Sequence, residues 1–495
     1  MIAVGAASIA LLSGAPRAHA DGVFTRGPYP QDLGSRSVAI LFGLAEPHRA
    51  TLEVSRAGAV LIAPSATSAS AAPSTSTAPK GAPSASASVA ESAAKTAVSA
   101  SSDSRHELVV SGLEPATTYR YSVKLDDGRT EGGTFTTAPE DDRPLSFAMY
   151  GDNRGGHEAH AAVVRAMAAT SPEFLIQTGD MVYDGSAPDD WAHFFAIEHD
   201  LLRDHCMFPA LGNHELGVPG SDGVRRFADY FRLPAPPGSA ERYYTFRWGN
   251  VRFFMVDSQN DFIGDERTWL ENALTAADAE AGLTWRFVVL HHGPFSSGAH
   301  GPSAALVAER VPALLARHRV DLIVSGHDHI YERGVGGGLR YVITGGGGAP
   351  LYREFHERGT SQKFEPVNHF LRFSTSAREA KYTALRVDGS TIETCGFAAN
   401  DQAAGWRCDG ALLAPAAAMP SCAAGTPSGA TSVSATLTGK ATLTTGAPAK
   451  SSCACAVDGT GAVDFAADVR GAVCAALACV TASSRRRRQR DSLRA

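Results

Sequence analysis

Apolar residues along this chain fall into two regimes. Between 24 and 137 they form short, partly alternating runs at 36–43, 50–54, 107–110, 119–125 and 133–137, separated by turn residues. A period of two turns one set of side chains to one face of a strand, so this stretch predicts a small all-β domain. Between 144 and 395 the pattern changes. Uninterrupted apolar runs at 145–150, 174–178, 251–256, 285–290 and 321–325 alternate with helical patterns near 158–169, 188–203, 265–279 and 304–317. That order predicts an α/β fold, with strands buried between helices. Further β structure follows over 335–388, including 341–344 immediately before four consecutive glycines.

Three stretches stand outside both regimes. Residues 63–104 are Ala, Ser, Thr and Pro with almost no large apolar side chain. They cannot offset the entropy of ordering and predict a disordered insertion in the β domain. The first twenty residues read as an export signal: an apolar run from Ile2 to Leu12, then Ala18-His19-Ala20 as a small-x-small cleavage pattern. Beyond about 410 the chain is low in complexity and ends with Cys453-Ala-Cys455, an apolar run over 471–482 and the cluster Arg485–Arg488 plus Arg490. That run is too short to span a bilayer. The tail resembles, in degraded form, bacterial C-terminal sorting tails, which implies envelope attachment; it reads equally well as a frayed end.

A length of 495 residues predicts two or three folded units. The net charge of -6, with 19% charged residues, gives no sign of a nucleic-acid or membrane-surface binder. The expected partner is instead a small molecule. Of eight cysteines only Cys206 lies among the motifs described next. Cys395 and Cys408 flank a short polar stretch and can pair as a disulfide, which fits a periplasmic, cell-surface or extracellular location.

The chemistry is carried by five short segments: Tyr150-Gly-Asp-Asn-Arg154, Gly179-Asp-Met-Val-Tyr183, Gly212-Asn-His-Glu215, Val288-Val-Leu-His291 and Gly326-His-Asp-His329. Each follows an apolar run, and open α/β sheets build their sites beyond the C-terminal ends of strands. Together they offer Asp152, Asp180, Tyr183, Asn213, His291, His327 and His329, enough to hold two metal ions. Two ions about 3.5–4 Å apart need a shared ligand, and a carboxylate can face both. Asp180 is the candidate bridge. Imidazoles suit zinc, iron or manganese, and the neutral Asn213 amide leaves its ion more electrophilic. Phenols ionise near a pKa of about 10, so a Tyr183 phenolate at neutral pH needs a strongly charged ion such as ferric iron.

With these segments in order, the chain resembles the calcineurin-like metallophosphoesterase superfamily and, within it, the purple acid phosphatases. That pattern runs Asp-x-Gly, Gly-Asp-x-x-Tyr, Gly-Asn-His-Asp/Glu, Val-x-x-His, Gly-His-x-His, here followed by Ile330-Tyr-Glu-Arg333. Gly27-Pro-Tyr29 and Leu113-Glu-Pro-Ala-Thr-Thr-Tyr119 resemble the fibronectin-III-like domain that precedes this core. The likeness covers roughly 24–395. It implies a four-layer α/β/β/α core over 144–395 behind a fibronectin-III-like sandwich over 24–137.

The resemblance also implies roles. One ion would be held by Asp152, Asp180, Tyr183 and His329, the other by Asp180, Asn213, His291 and His327. The metals would be Fe3+ with Zn2+, Mn2+ or Fe2+. His292 falls one place past the pattern and is expected as a neighbour. His214 and His300 would contact phosphate and assist the leaving group. Arg154 stands where the family usually has Gly, and is either a bidentate contact for phosphate oxygens or a surface salt bridge. His157 and His160, at the start of a predicted helix, are expected to face solvent. The implied activity is hydrolysis of phosphate monoesters of the acid-phosphatase type by metal-activated water. The alternatives are a phosphodiesterase or nucleotide hydrolase on the same site, and a non-catalytic cell-surface binding protein.

Overall fold

The structure, a computed structural model, describes residues 23–57, 95–96, 106–259, 262, 264–401 and 405–413. The expected export signal, the Cys and Arg motifs of the tail and all of the low-complexity insertion except Lys95–Thr96 lie outside these residues.

Strands β1 (Phe24–Gln31), β2 (Ser37–Leu44), β3 (Ala50–Arg56), β4 (Lys95–Thr96), β5 (His106–Ser111), β6 (Thr118–Leu125) and β7 (Thr130–Thr136) build the N-terminal part. They form two antiparallel sheets, ordered β1-β2-β5 and β4-β3-β6-β7. The alternation read from the sequence sets the core: Ala50, Leu52 and Val54 of β3 and Leu108 and Val110 of β5 point inward. Strand β1 escaped the sequence pattern because Arg26, Gly27 and Pro28 interrupt its apolar residues. It matters for placement. The Tyr29 hydroxyl donates to the Tyr230 carbonyl at 2.7 Å, Gln31 Nε2 to the Met207 carbonyl at 3.3 Å and the Tyr121 hydroxyl to the Arg203 carbonyl at 2.7 Å. These bonds hold the β domain against the α/β part.

The α/β part runs β8 (Leu145–Tyr150), α1 (His157–Ala168), β9 (Leu175–Gln177), α2 (Pro188–Leu202), β10 (Met207–Pro209), α3 (Gly223–Tyr230), β11 (Tyr244–Trp248), β12 (Val251–Val256), α4 (Asp265–Asp278), β13 (Trp285–Leu290), α5 (Ala304–Ala308), α6 (Val311–Arg317) and β14 (Leu322–Ser325). It continues through β15 (Tyr331–Gly336), β16 (Leu339–Thr344), β17 (Ser361–Glu365), β18 (His369–Thr375), β19 (Glu379–Arg386), β20 (Thr391–Ala398), β21 (Trp406–Cys408) and β22 (Ala411–Leu413). The helix expected over 304–317 is two: Arg310 adopts a left-handed backbone (φ 55°) and Pro312 opens α6.

Two sheets face each other, ordered β10-β9-β8-β18-β19-β20-β21-β22 and β11-β12-β13-β14-β16-β15-β17. With α1 and α2 outside the first and α4 and α6 outside the second, the layers are α/β/β/α. Phe147 of β8 stacks on Phe373 (5.1 Å) and meets Phe253 edge-on (5.4 Å), so aromatic rings fill the space between the sheets. The first sheet continues past 395 to Leu413. A Cys395–Cys408 disulfide joins β20 to β21, as the spacing allowed. Among the described residues no helix is long and apolar enough to cross a membrane. The functional consequence lies in direction. β8, β9 and β10 run parallel in one sheet and β12, β13, β14 and β16 in the other, so two sets of strand ends open at one edge.

Candidate metal centre

The motif residues converge at that edge. Asp152 follows β8, Asp180 follows β9, Asn213 follows β10, His291 follows β13, and His327 and His329 follow β14. Three of them, Asp152 (φ 60°), Asp180 (φ 59°) and His327 (φ 71°), hold left-handed backbones, which cost a non-glycine residue about 1–3 kcal/mol each and cluster at functional sites. Close approach explains two motif glycines. A Cβ on Gly326 would stand 2.3 Å from the Asp152 carboxylate, and one on Gly212 would stand 2.2 Å from the Asp180 nitrogen.

Two groups of donor atoms result. In one, Asp152, Asp180 and His329 are buried and offer ligand atoms within 4.8 Å of one another. In the other, the ring nitrogens of His291, His292 and His327 meet the same limit. Asp180 joins the two: its Oδ1 lies 3.2 Å from His291 Nε2, which is also 3.1 Å from Asn213 Oδ1. The imidazoles are braced at Nδ1 by main-chain carbonyls, His291 by Thr178 (2.9 Å) and His329 by Pro350 (2.6 Å), which turns each Nε2 toward the neighbouring donor groups.

The electrostatics fit metal ions. Burial pushes the Asp152 carboxyl well above the usual range, aided by the charge of Asp180. Burial would raise Asp180 too, but the imidazoles of His291 and His214 outweigh it and hold it low. For His291 burial favours the neutral ring, yet the two carboxylates win and lift it to about 9. Burial lowers His327 and, helped by Arg154, lowers His329 to about 4, so both are neutral, the form that binds metal. The two fully buried carboxylates already draw positive charge, from the His291 ring and from Arg154, and a metal ion would supply the same compensation.

The resemblance expected Tyr183 in the first group, but its side chain is 63% exposed at the rim. Its ring lies 5.4 Å from that of His214 and 6.0 Å from the Arg154 guanidinium. Arg154 takes the inner position: its Nε donates to Asp180 Oδ2 (3.0 Å), and its Nη2 lies 3.3 Å from His329 Nε2. Its side chain is 15% exposed and its partner Asp180 is fully buried, so the pair is no surface salt bridge. His214 lies beside the centre, its main-chain N–H on Asp180 Oδ1 (3.0 Å) and its Nδ1 on the Tyr183 carbonyl. His300 is exposed above the His327 ring at 4.3 Å.

Residues 145–331, from β8 into β15, match the family model for calcineurin-like phosphoesterases. This stretch is a calcineurin-like phosphoesterase domain. An uncharacterised protein of Mycobacterium tuberculosis is 28% identical over 262 residues, covering 45% of this chain and 49% of its own length. Probable purple acid phosphatase 20 of Arabidopsis thaliana is 28% identical over 238 residues, covering 46% and 55%. The chain thus spans about half the length of these curated relatives. Among solved structures, a purple acid phosphatase from yellow lupin seeds superposes with a TM-score of 0.61 at 16% identity over 75% of this chain and 74% of that one. A PhoD structure gives 0.57 at 14% identity over 80% and 93%. At these identities the likeness is one of fold.

Several residues of the phosphoesterase domain do more than the sequence reading assigned to them. Glu215, fully buried, accepts the main-chain N–H groups of Asp180 (2.8 Å), Met181 (2.7 Å), Val182 (3.3 Å) and Gly212 (2.8 Å). It ties the second motif to the third. Asp328, between the two histidines of the last motif, accepts from the His300 N–H (2.9 Å) and Ser296 Oγ, fastening the His300 loop. Tyr352 stacks on His329 at 4.2 Å. His160, expected to face solvent, is 2% exposed: α1 packs on α2, and His160 Nε2 lies 2.8 Å from Glu198 Oε1, which also accepts the Tyr150 hydroxyl. His157 is exposed as expected.

Proposed function

We propose that this chain hydrolyses phosphate monoesters at a dinuclear metal centre held by Asp152, Asp180, Asn213, His291, His327 and His329. The observation that carries the reading is the position of Asp180, whose carboxylate belongs to the Asp152–His329 group and touches the His291–Asn213 pair. Such a carboxylate is what two adjacent ions share. When bound, the ions acidify water and neutralise phosphate charge.

The chain's own residues supply the rest. Arg154, anchored on Asp180, presents a cation where phosphate oxygens would lie. His214 has its Nδ1 held by the Tyr183 carbonyl and its Nε2 3.9 Å from Asp180 Oδ2, so the imidazolium form, with its second proton on Nε2, can pass that proton to a leaving oxygen. His300 approaches from the solvent side on a loop fixed by Asp328. Tyr183 reaches an ion only if Arg154 moves toward substrate. The iron-containing form, Fe3+ beside Zn2+, Mn2+ or Fe2+, is proposed with that rearrangement, and a broad visible absorption of the loaded protein is its signature. Export is part of the reading, supported by the Cys395–Cys408 bond.

The test compares p-nitrophenyl phosphate with its bis ester, using protein loaded with iron, zinc or manganese. Faster hydrolysis of the monoester supports the proposal. Preference for the bis ester makes the site a diesterase, and no turnover of either by fully loaded protein leaves the non-catalytic reading.

A further inference from the structure

The motif spacing expects His292 as a bystander, but its ring is built into the centre. It lies edge-on to the His327 ring at 4.0 Å and 5.0 Å from that of His291. The three rings offer nitrogens within 4.8 Å of one another. Its orientation is fixed from the neighbouring parallel strand: beyond the end of β12, Ser258 Oγ accepts the His292 main-chain N–H (2.8 Å), and the Ser258 carbonyl lies 3.1 Å from His292 Nδ1. A carbonyl oxygen only accepts, so Nδ1 carries the hydrogen and Nε2 keeps its lone pair. His291 and His329 are braced in the same way by Thr178 and Pro350. A ring nitrogen tied to a main-chain carbonyl is how proteins fix the tautomer and direction of a metal-ligating imidazole.

We infer that His292 is a further protein ligand, through Nε2, of the ion held by Asp180, Asn213, His291 and His327. The inference rests on the dinuclear reading above and adds a third imidazole to one of its two positions. Three nitrogens make that position prefer zinc over manganese, because imidazole binds the later divalent metal more strongly. The Asp152–Asp180–His329 position has no such bias, so the two ions become distinguishable by metal type.

The test is calorimetric titration of the full-length apo chain with Zn2+ alone and with Mn2+ alone, backed by metal analysis after dialysis. His292→Ala and His292→Gln are run beside the wild type; the Gln variant keeps side-chain bulk in case the Ala variant folds poorly. The wild type takes two ions. Both variants keep one affinity and lose about tenfold to a hundredfold or more in the other, with the loss larger for Zn2+ than for Mn2+. Wild-type affinities at both positions in a folded variant overturn the inference and leave the dinuclear centre standing, whether or not the KM for p-nitrophenyl phosphate rises. A wild-type chain that binds only one ion overturns both together.

Discussion

Glu215→Gln isolates one strut beneath the centre. The two carboxylate oxygens of Glu215 divide four N–H donors between them: Oε2 accepts Asp180 and Gly212, and Oε1 accepts Met181 and Val182. Gln has nearly the same shape but only one accepting oxygen. Whichever way the amide turns, its NH2 group faces two main-chain donors that no water reaches, since Glu215 is fully buried. Leaving a buried donor unsatisfied costs about 1–3 kcal/mol, so the pair costs roughly 2–6 kcal/mol. That is a large part of the roughly 5–15 kcal/mol that holds an ordinary domain folded. The loss also frees the left-handed Asp180 backbone to relax, which moves the bridging carboxylate. Urea denaturation of the apo protein, with zinc titration on the same samples, reads both effects: a lower midpoint and weaker binding. A Glu215→Gln chain that matches the wild type in midpoint and in binding two ions would refute the argument that these four hydrogen bonds shape the site.

Other predictions follow from single contacts. Arg154→Ala removes a cation from Asp180 Oδ2 and His329 Nε2. Zinc affinity should therefore rise, while kcat/KM for a monoester falls by roughly tenfold to a hundredfold, the worth of one charge-assisted hydrogen bond; a fall in both would contradict the assignment. Burial, with Asp257 beside it, pushes Glu266 from 4.5 up to about 9. Because the folded-state value is raised, the stability this group gives is complete below its unfolded value and is lost as pH climbs through about 9. Glu266→Gln, which keeps an acceptor for the Asp257 N–H, should flatten the fall of Tm between pH 5 and pH 9; an unchanged slope would place the titration elsewhere. Replacing Cys395 and Cys408 by Ser opens a loop of sequence separation 13 and should cost about 3 kcal/mol in the chain-entropy estimate. Activity per folded molecule, measured with p-nitrophenyl phosphate, should stay intact because the bond joins β20 to β21 and touches none of the motif residues.

Four of the strand ends were legible because the apolar runs before Asp152, Asp180, His291 and His327 stop one to three residues short of the ligand, and a parallel sheet must open its site there. Their convergence was legible too, since five such segments in one order leave few other folds. What escaped the sequence depends on partners distant along the chain. Glu215 matters through N–H groups of residues 180–182, which no periodicity exposes. His160 looked like an exposed helix start because its partner Glu198 comes from another helix. Tyr183 sits at the rim while Arg154 stands beside Asp180, an arrangement that motif spacing does not reveal. Strand β10 and helix α3 escaped because one is very short and the other strongly polar.

The most direct measurement of the central claim is metal content of the purified, reloaded chain, with and without Asp180→Asn, taken alongside turnover of p-nitrophenyl phosphate. Two ions per chain in the wild type, and loss of both an ion and the turnover in Asp180→Asn, are the outcome this account requires. Two tightly held ions and undiminished turnover in Asp180→Asn would contradict it.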